Sequence, residues 1–315
     1  MLNERYKYDA KPELKLNKTQ QKAKDEIEAK IKLGLYKFEE VKCAVCGGKN
    51  SEVIAEKDRY GLYCTTCICC DCGLVYTSPR MSQKSYAEFY DSEYRRLYVG
   101  TEEPCEAFFN DQRFRGERIL KYIKSNYSIL NKDAEILEIG CGAGGILSVF
   151  KDAGLKITGL DLGEEYLNYG KEKYGLNLMK GSLSNLNSDY KADIIIYSHV
   201  FEHILDLDKE LTTIKNHLNP NGVVYIEVPG IKYIHSTYDM NFLKYLQNAH
   251  TYHFSINSLK RIFTKHGFSL ISGDEQIRSI FKISESSQNI QFKNEYSEII
   301  SYLKKIEKRK FLNVF

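Results

Sequence analysis

Three groups of residues have the types and spacing for chemistry. The first is the stretch 136–147, Ile-Leu-Glu-Ile-Gly-Cys-Gly-Ala-Gly-Gly-Ile-Leu, in which Glu138 stands two positions before Gly140 and Cys141, Gly142 and Gly144 follow. Glycines this dense let a ligand lie against the backbone, and a helix starting after them offers free N–H groups. Gly140, Gly142 and Gly145 also satisfy the dinucleotide pattern G-x-G-x-x-G, so the glycines alone leave two nucleotide-site readings open. The strand carboxylate favours the other, E-x-G-x-G-x-G. The second group is histidine-based: Ser198-His-Val-Phe-Glu-His203 and His250-Thr-Tyr-His253. A neutral imidazole can take a proton from a hydroxyl, a step worth on the order of 10²- to 10⁴-fold. Helical turning at 199–203 would put His199, Glu202 and His203 on one face. The third group is cysteine. Cys43-Ala-Val-Cys46-Gly47 and Cys64-Thr-Thr-Cys67-Ile-Cys69-Cys70-Asp-Cys72-Gly73 supply paired thiolates for a closed tetrahedral metal site. Cys64 and Cys67 give the more usual separation from the first pair. Cys69 and Cys72 repeat its local form, glycine after the second cysteine included, and are preferred.

These groups need particular elements to hold them. Ile136, Leu137 and Ile139 form a buried strand, and Ile146, Leu147, Val149 and Phe150 resume with helical spacing after the turn. Further strands are read at Leu155–Asp161, Asn177–Lys180, Ala192–Ser198, Gly222–Val228 and from Gly267, separated by helical stretches. Such alternation predicts an α/β fold, a doubly wound, mainly parallel sheet with ligands at the carboxyl ends of its strands. Asp161 ends the second strand about twenty positions beyond the turn, where a carboxylate meets a ribose diol. Ahead of this core, Tyr86, Phe89, Tyr90 and Tyr94 share a helical face, either as packing between ribbon and core or as a lid for a polyhydroxylated ligand. The expected organisation is a helical arm or poorly ordered extension at 1–42, a zinc ribbon and aromatic region at 43–100, a core at 101–275, and an extension at 276–315. The basic run Tyr302–Lys310 in that extension reads as a solvated helix face.

Composition narrows the class. With 315 residues, 43% of them hydrophobic, the chain can bury a substantial core, and its net charge of +3 gives no mandate for nucleic acid or a membrane surface. No apolar stretch is long enough to span a bilayer, and the amino terminus lacks a signal-peptide core. Nine cysteines, several of them in paired spacing, then suggest metal in a reducing, cytoplasmic setting.

The ordered set of motifs in 134–272 resembles the class I S-adenosylmethionine-dependent methyltransferases, whose core is a Rossmann-like seven-stranded sheet. With the cysteine knuckles, Cys72-Gly-Leu-Val-Tyr-Thr-Ser-Pro-Arg80 and His250-Thr-Tyr-His-Phe-Ser255, the chain is similar to three-part bacterial sugar methyltransferases with an amino-terminal zinc-binding domain. The resemblance implies S-adenosylmethionine as cofactor, with Glu138, Gly140, Cys141, Gly142 and Gly144 against its methionine part and Asp161 on the ribose. Leu162 and Leu183 would flank the adenine beside Ser182, which stands where many relatives carry an acid, and Ser198 and His199 would lie near the sulfonium. A structural zinc would sit on Cys43, Cys46, Cys69 and Cys72. His250 is the expected base, with His199, Glu202 and His203 as further catalytic candidates. The sugar C-methylating relatives carry Glu-His before Tyr-Phe-Ser; here Ala249 precedes His250, which favours O-methylation. Residues 201–203 also resemble the Glu-x-x-Glu-His magnesium motif of ubiquinone-pathway and small-RNA O-methyltransferases, with His199 in place of the first glutamate. On that reading His199, Glu202, His203 and His250 would bind a divalent ion. The competing functions are an RNA methyltransferase with a zinc knuckle and a non-catalytic scaffold of the same fold; the expected partner is a sugar or glycan precursor, not nucleic acid.

Overall fold

The computed structural model describes residues 1–100, 103–127, 133–284 and 291–312, side chains to 309. They fall into two compact units, neither of them one continuous stretch. The described residues of 103–228 and 263–289 form one; those of 1–102, 229–262 and 290–315 form the other.

In the unit of 103–228 and 263–289 the strands are β1 (Glu135–Ile139), β2 (Lys156–Asp161), β3 (Leu178–Lys180), β4 (Ala192–Ser198), β5 (Leu218–Glu227), β6 (Phe268–Gly273) and β7 (Arg278–Ile283). They make one seven-stranded sheet in the order β6-β7-β5-β4-β1-β2-β3. β5, β4, β1, β2 and β3 run parallel, and β7 is antiparallel to both its neighbours. The central strands are apolar on both faces: Ile194, Ile195 and Ile196 of β4 are fully buried, as a covered parallel sheet requires. Ile136, Ile194, Ile196, Val223 and Tyr225 pack with Ile146, Leu147 and Phe150 in a single core. β5 is longer than the expected strand because its register shifts between Leu218 and Val223, which keeps Leu218 paired with Ala192. β7 was not among the expected strands. Its Ser279, Ile280 and Phe281 are all buried, so the inside–outside alternation that marks a half-buried strand is missing.

The other unit centres on an antiparallel four-stranded sheet ordered 252–253, 75–77, 63–69, 51–57. Lys18–Lys32 is a helix, opened by a capping box between Asn17 and Gln20. The segment before it is fixed as well: Tyr6 is fully buried with Phe242 and Ile299, and Arg5 pairs with Glu307 at 3.0 Å. The Tyr296–Leu312 helix is two-faced. Lys304, Lys305 and Lys308 are exposed, while Ile299, Leu303 and Ile306 are buried. Among the described residues no helix is long and apolar enough to cross a membrane.

Candidate functional site

The glycine turn between β1 and the helix Gly145–Asp152 has Gly140, Gly142 and Gly144 all at positive φ (69°, 54° and 79°). At Gly142 the requirement is twofold, because a Cβ there would also come within 2.9 Å of the Gln112 amide. That amide holds the turn: Gln112 Nε2 donates to the Cys141 carbonyl at 3.0 Å, and its Oε1 accepts from Gly145 N–H at 3.3 Å. Asp161, at the end of β2, accepts from Gly142 N–H at 2.8 Å and from Gly163 N–H at 2.7 Å. The residue expected on the ribose therefore also shapes the loop. Leu162 beside it is 53% exposed, an open apolar surface suited to a flat ring. Leu183 is buried in a short turn that Ser182 and Asn185 cap reciprocally, so Ser182 works on the backbone of that turn.

Two buried oxygens at the same end of the sheet lack hydrogen-bond partners, Glu138 Oε2 and Ser198 Oγ. Burial raises the Glu138 carboxyl well above the usual range, against the nearby Arg115 charge. Orphaned polar atoms beside an exposed apolar surface and a glycine cradle fit a polar nucleoside ligand.

The histidine cluster begins where β4 ends. His199 sits at φ +57°, a left-handed conformation that a non-glycine residue adopts at a cost of about 1 kcal/mol, and its N–H donates to the Glu227 carbonyl at 2.7 Å. The chain then turns through a short 3₁₀ segment, Phe201–His203. This brings Glu202 Oε1 to 3.8 Å from His199 Nδ1 and 3.8 Å from His203 Nε2. Burial pushes the Glu202 carboxyl up to about 8, against its own backbone N–H and Arg115. Desolvation, then the charge of Arg115, holds the His199 imidazole below its ordinary pKa and therefore neutral. Arg115 and Arg118 come from the helix Glu106–Asn126, and Arg118 Nη2 lies 3.3 Å from Glu227 Oε1. Sequence reading missed Gln112 and these arginines. A signal for Gln112 was present, since it falls on the stripe continued by Gly116, Ile119 and Ile123, and a polar residue on an apolar stripe needs a partner.

The other unit holds the cysteines. Cys43 Sγ lies 3.4 Å from Cys72 Sγ, Cys46 Sγ lies 3.5 Å from Cys69 Sγ, and all four sulfurs are within 4.8 Å of one another. The two knuckles share one backbone: Gly47 N–H bonds to the Cys43 carbonyl and Gly73 N–H to the Cys69 carbonyl, both at 2.8 Å, and both glycines have positive φ. Cys64 and Cys67 are buried outside this group. Contact with Cys69 pushes the Cys43 thiol up, while Cys43 and Cys72 draw the Cys69 thiol down. Sulfurs so crowded compete for protons unless a cation holds them, and four of them suit zinc. His250 and His253 lie in this unit too, both buried, with His253 paired to Val75 and the His250 carbonyl accepting from Thr77 Oγ1 at 3.0 Å.

The sequence profile of a methyltransferase domain matches residues 111–272. Over 117 residues the chain is 31% identical to a ubiquinone biosynthesis O-methyltransferase of Rickettsia prowazekii, covering 36% of this chain and 46% of that protein. The Rickettsia felis protein of the same name is 30% identical over 117 residues, or 36% and 48% of the two chains. The chain thus spans about half the length of the curated relatives it matches. Among solved structures, an S-adenosylmethionine-dependent methyltransferase from Clostridium acetobutylicum aligns at 15% identity, covering 63% of this chain and 99% of that one, with a TM-score of 0.43.

Proposed function

The chain belongs to the methyltransferase-domain family, residues 111–272 forming an S-adenosylmethionine-dependent domain, and we propose that the whole protein methylates a hydroxyl of a sugar, free as its nucleotide or within a glycan precursor. The cofactor, when bound, supplies a methyl group already activated by a positive sulfur. The protein's task is then alignment and removal of one proton. In this reading the Gly140–Gly144 turn receives the methionine part, Asp161 accepts from the ribose hydroxyls, and Leu162 and Leu183 flank the adenine. Glu138 and Ser198 offer their unpartnered oxygens to the cofactor's polar groups.

The observation that carries hydroxyl chemistry is His199, held in a left-handed conformation at the end of β4 with a neutral imidazole. Such a ring accepts a proton but is too weak a base to strip a hydroxyl beforehand, so proton and methyl would move together. His250, the base expected from sequence, is the second candidate. A structural zinc on Cys43, Cys46, Cys69 and Cys72 belongs to the same proposal.

A second reading keeps the reaction and changes the acceptor to a hydroxylated ubiquinone precursor. The Rickettsia relatives favour it by name. The test is incubation with labelled S-adenosylmethionine and two panels, nucleotide sugars and hydroxylated aromatic acceptors, with the label located by mass spectrometry and NMR. Label on a sugar oxygen supports the first reading and label on a ring oxygen the second. His199→Ala and His250→Ala, assayed on the same acceptor, identify the base by a rate loss of roughly 100-fold or more.

A further inference from the structure

Arg59 occupies the turn between the strands Ser51–Lys57 and Tyr63–Cys69. Its backbone is fixed on both sides, the N–H donating to the Leu246 carbonyl at 3.0 Å and the carbonyl accepting from Glu13 N–H at 2.9 Å and Leu14 N–H at 3.3 Å. The guanidinium lies over the Tyr60 ring, 5.0 Å from its centroid, and over the Tyr98 ring at 5.6 Å. Nη2 donates to the Tyr60 hydroxyl at 2.9 Å, and Nε is buried with no partner. A guanidinium has five N–H donors and keeps its charge at any physiological pH, so this one is far from satisfied. The adjacent carboxylate contributes its charge but no hydrogen bond. Asp58 spends Oδ1 on the N–H groups of Tyr60 and Leu62 and Oδ2 on that of Asn248. Among the described residues no acidic side chain forms an ion pair with Arg59, although the residue is only partly exposed. A charged fork held on a rigid turn, with aromatic faces beside it and no acidic side chain hydrogen-bonded to it among the described residues, is the arrangement that receives an oxyanion.

We propose that Arg59, framed by Tyr60 and Tyr98, is an anion-binding residue whose ligand is a phosphate ester. The anion site does not depend on the sugar reading above. The test is calorimetry on the full-length protein with pyrophosphate, uridine diphosphate and glucose, in wild type, Arg59→Gln and Arg59→Lys. S-adenosylhomocysteine is titrated into each variant as an independent measure of the methyltransferase domain. The expected result is that wild type binds both anions and not glucose. Arg59→Gln then weakens uridine diphosphate at least tenfold, Arg59→Lys falls between because it keeps charge without the planar fork, and S-adenosylhomocysteine affinity stays constant throughout. Absence of anion binding by wild type, or equal affinity in wild type and both variants, overturns the site. Failure of S-adenosylhomocysteine to bind wild type would count against the methyltransferase reading and leave the anion result standing.

Discussion

Each unit buries a carboxylate, and the two are treated differently. Asp58 is fully buried, yet three backbone N–H groups surround it and its pKa rises only to about 6. Glu138 is 1% exposed, its Oε2 has no partner, and burial raises it well above the carboxylate range. The cysteine cluster follows Asp58 in turning its donor atoms toward one another. Ser198, with an unpartnered buried hydroxyl, follows Glu138. Folding leaves a buried polar group unmatched at a cost of about 1–3 kcal/mol. A group that stays unmatched is therefore a place where a ligand can complete the hydrogen bonding. Arg59, with its Nε buried and unmatched, falls on the open side of that comparison.

The largest effect should come from breaking the closed cluster. Cys69→Ser removes one of four ligands, and structural zinc contributes roughly 10–16 kcal/mol to folding, as much as a domain's whole stability. The variant is expected to lose the zinc proposed for the four sulfurs and to yield little soluble protein, read by elemental analysis and expression. Cys64→Ser and Cys67→Ser should keep one equivalent of zinc, since both residues lie outside the four-sulfur group. Metal loss in either of those would break the distinction between the pairs.

Asp161→Ala is next. It removes both bonds that pin Gly142 and Gly163 and the acceptor proposed for the ribose diol. Charge-assisted bonds contribute about 1.5–3 kcal/mol each, so S-adenosylhomocysteine affinity should fall roughly 100-fold or more by calorimetry. Glu138→Gln sharpens the comparison. Burial works against charge on this carboxyl, so the amide should leave thermal unfolding of the free protein within about 1 kcal/mol, while cofactor affinity drops about tenfold. A variant that loses stability and keeps affinity would reassign Glu138 to the closed, structural class.

How much of this was legible in the sequence differs by region for a physical reason. The Gly140–Gly144 turn and the paired cysteines are local, and local backbone needs leave local marks: positive φ demands glycine, and two thiolates on one turn demand short spacing. The gathering of Cys69 and Cys72, not Cys64 and Cys67, beside Cys43 and Cys46 left a local mark as well, because the repeated glycine reflects a repeated hydrogen bond. The return of residues 229–262 and 290–312 to the unit of the amino terminus left no such mark. It depends on long-range packing of Tyr6, Phe242 and Ile299, none of which carries a distinctive spacing. β7 was missed because its central residues are buried in succession, and Arg59 because an unpaired cation is visible only once its neighbours are known.

The smallest effect, and the most direct reading of a closed group, is the pH dependence at Asp58. Its pKa is raised from 3.8 to about 6 by burial, the three N–H bonds opposing. The folded state thus holds the proton more tightly than the unfolded chain. The contribution is fully present below about pH 4 and is lost as pH rises through about 6, a difference of up to about 3 kcal/mol, flat above. Asp58→Asn cannot titrate, so this slope should vanish from denaturant unfolding curves taken between pH 4 and 7. The amide oxygen can still accept from Tyr60 and Leu62, but its NH₂ faces the Asn248 N–H and gives back about 1–3 kcal/mol. The variant should therefore nearly match wild type at pH 7 and be the less stable of the two near pH 4. An unchanged slope would mean that another buried acid, with Glu202 first in line, sets the pH dependence instead.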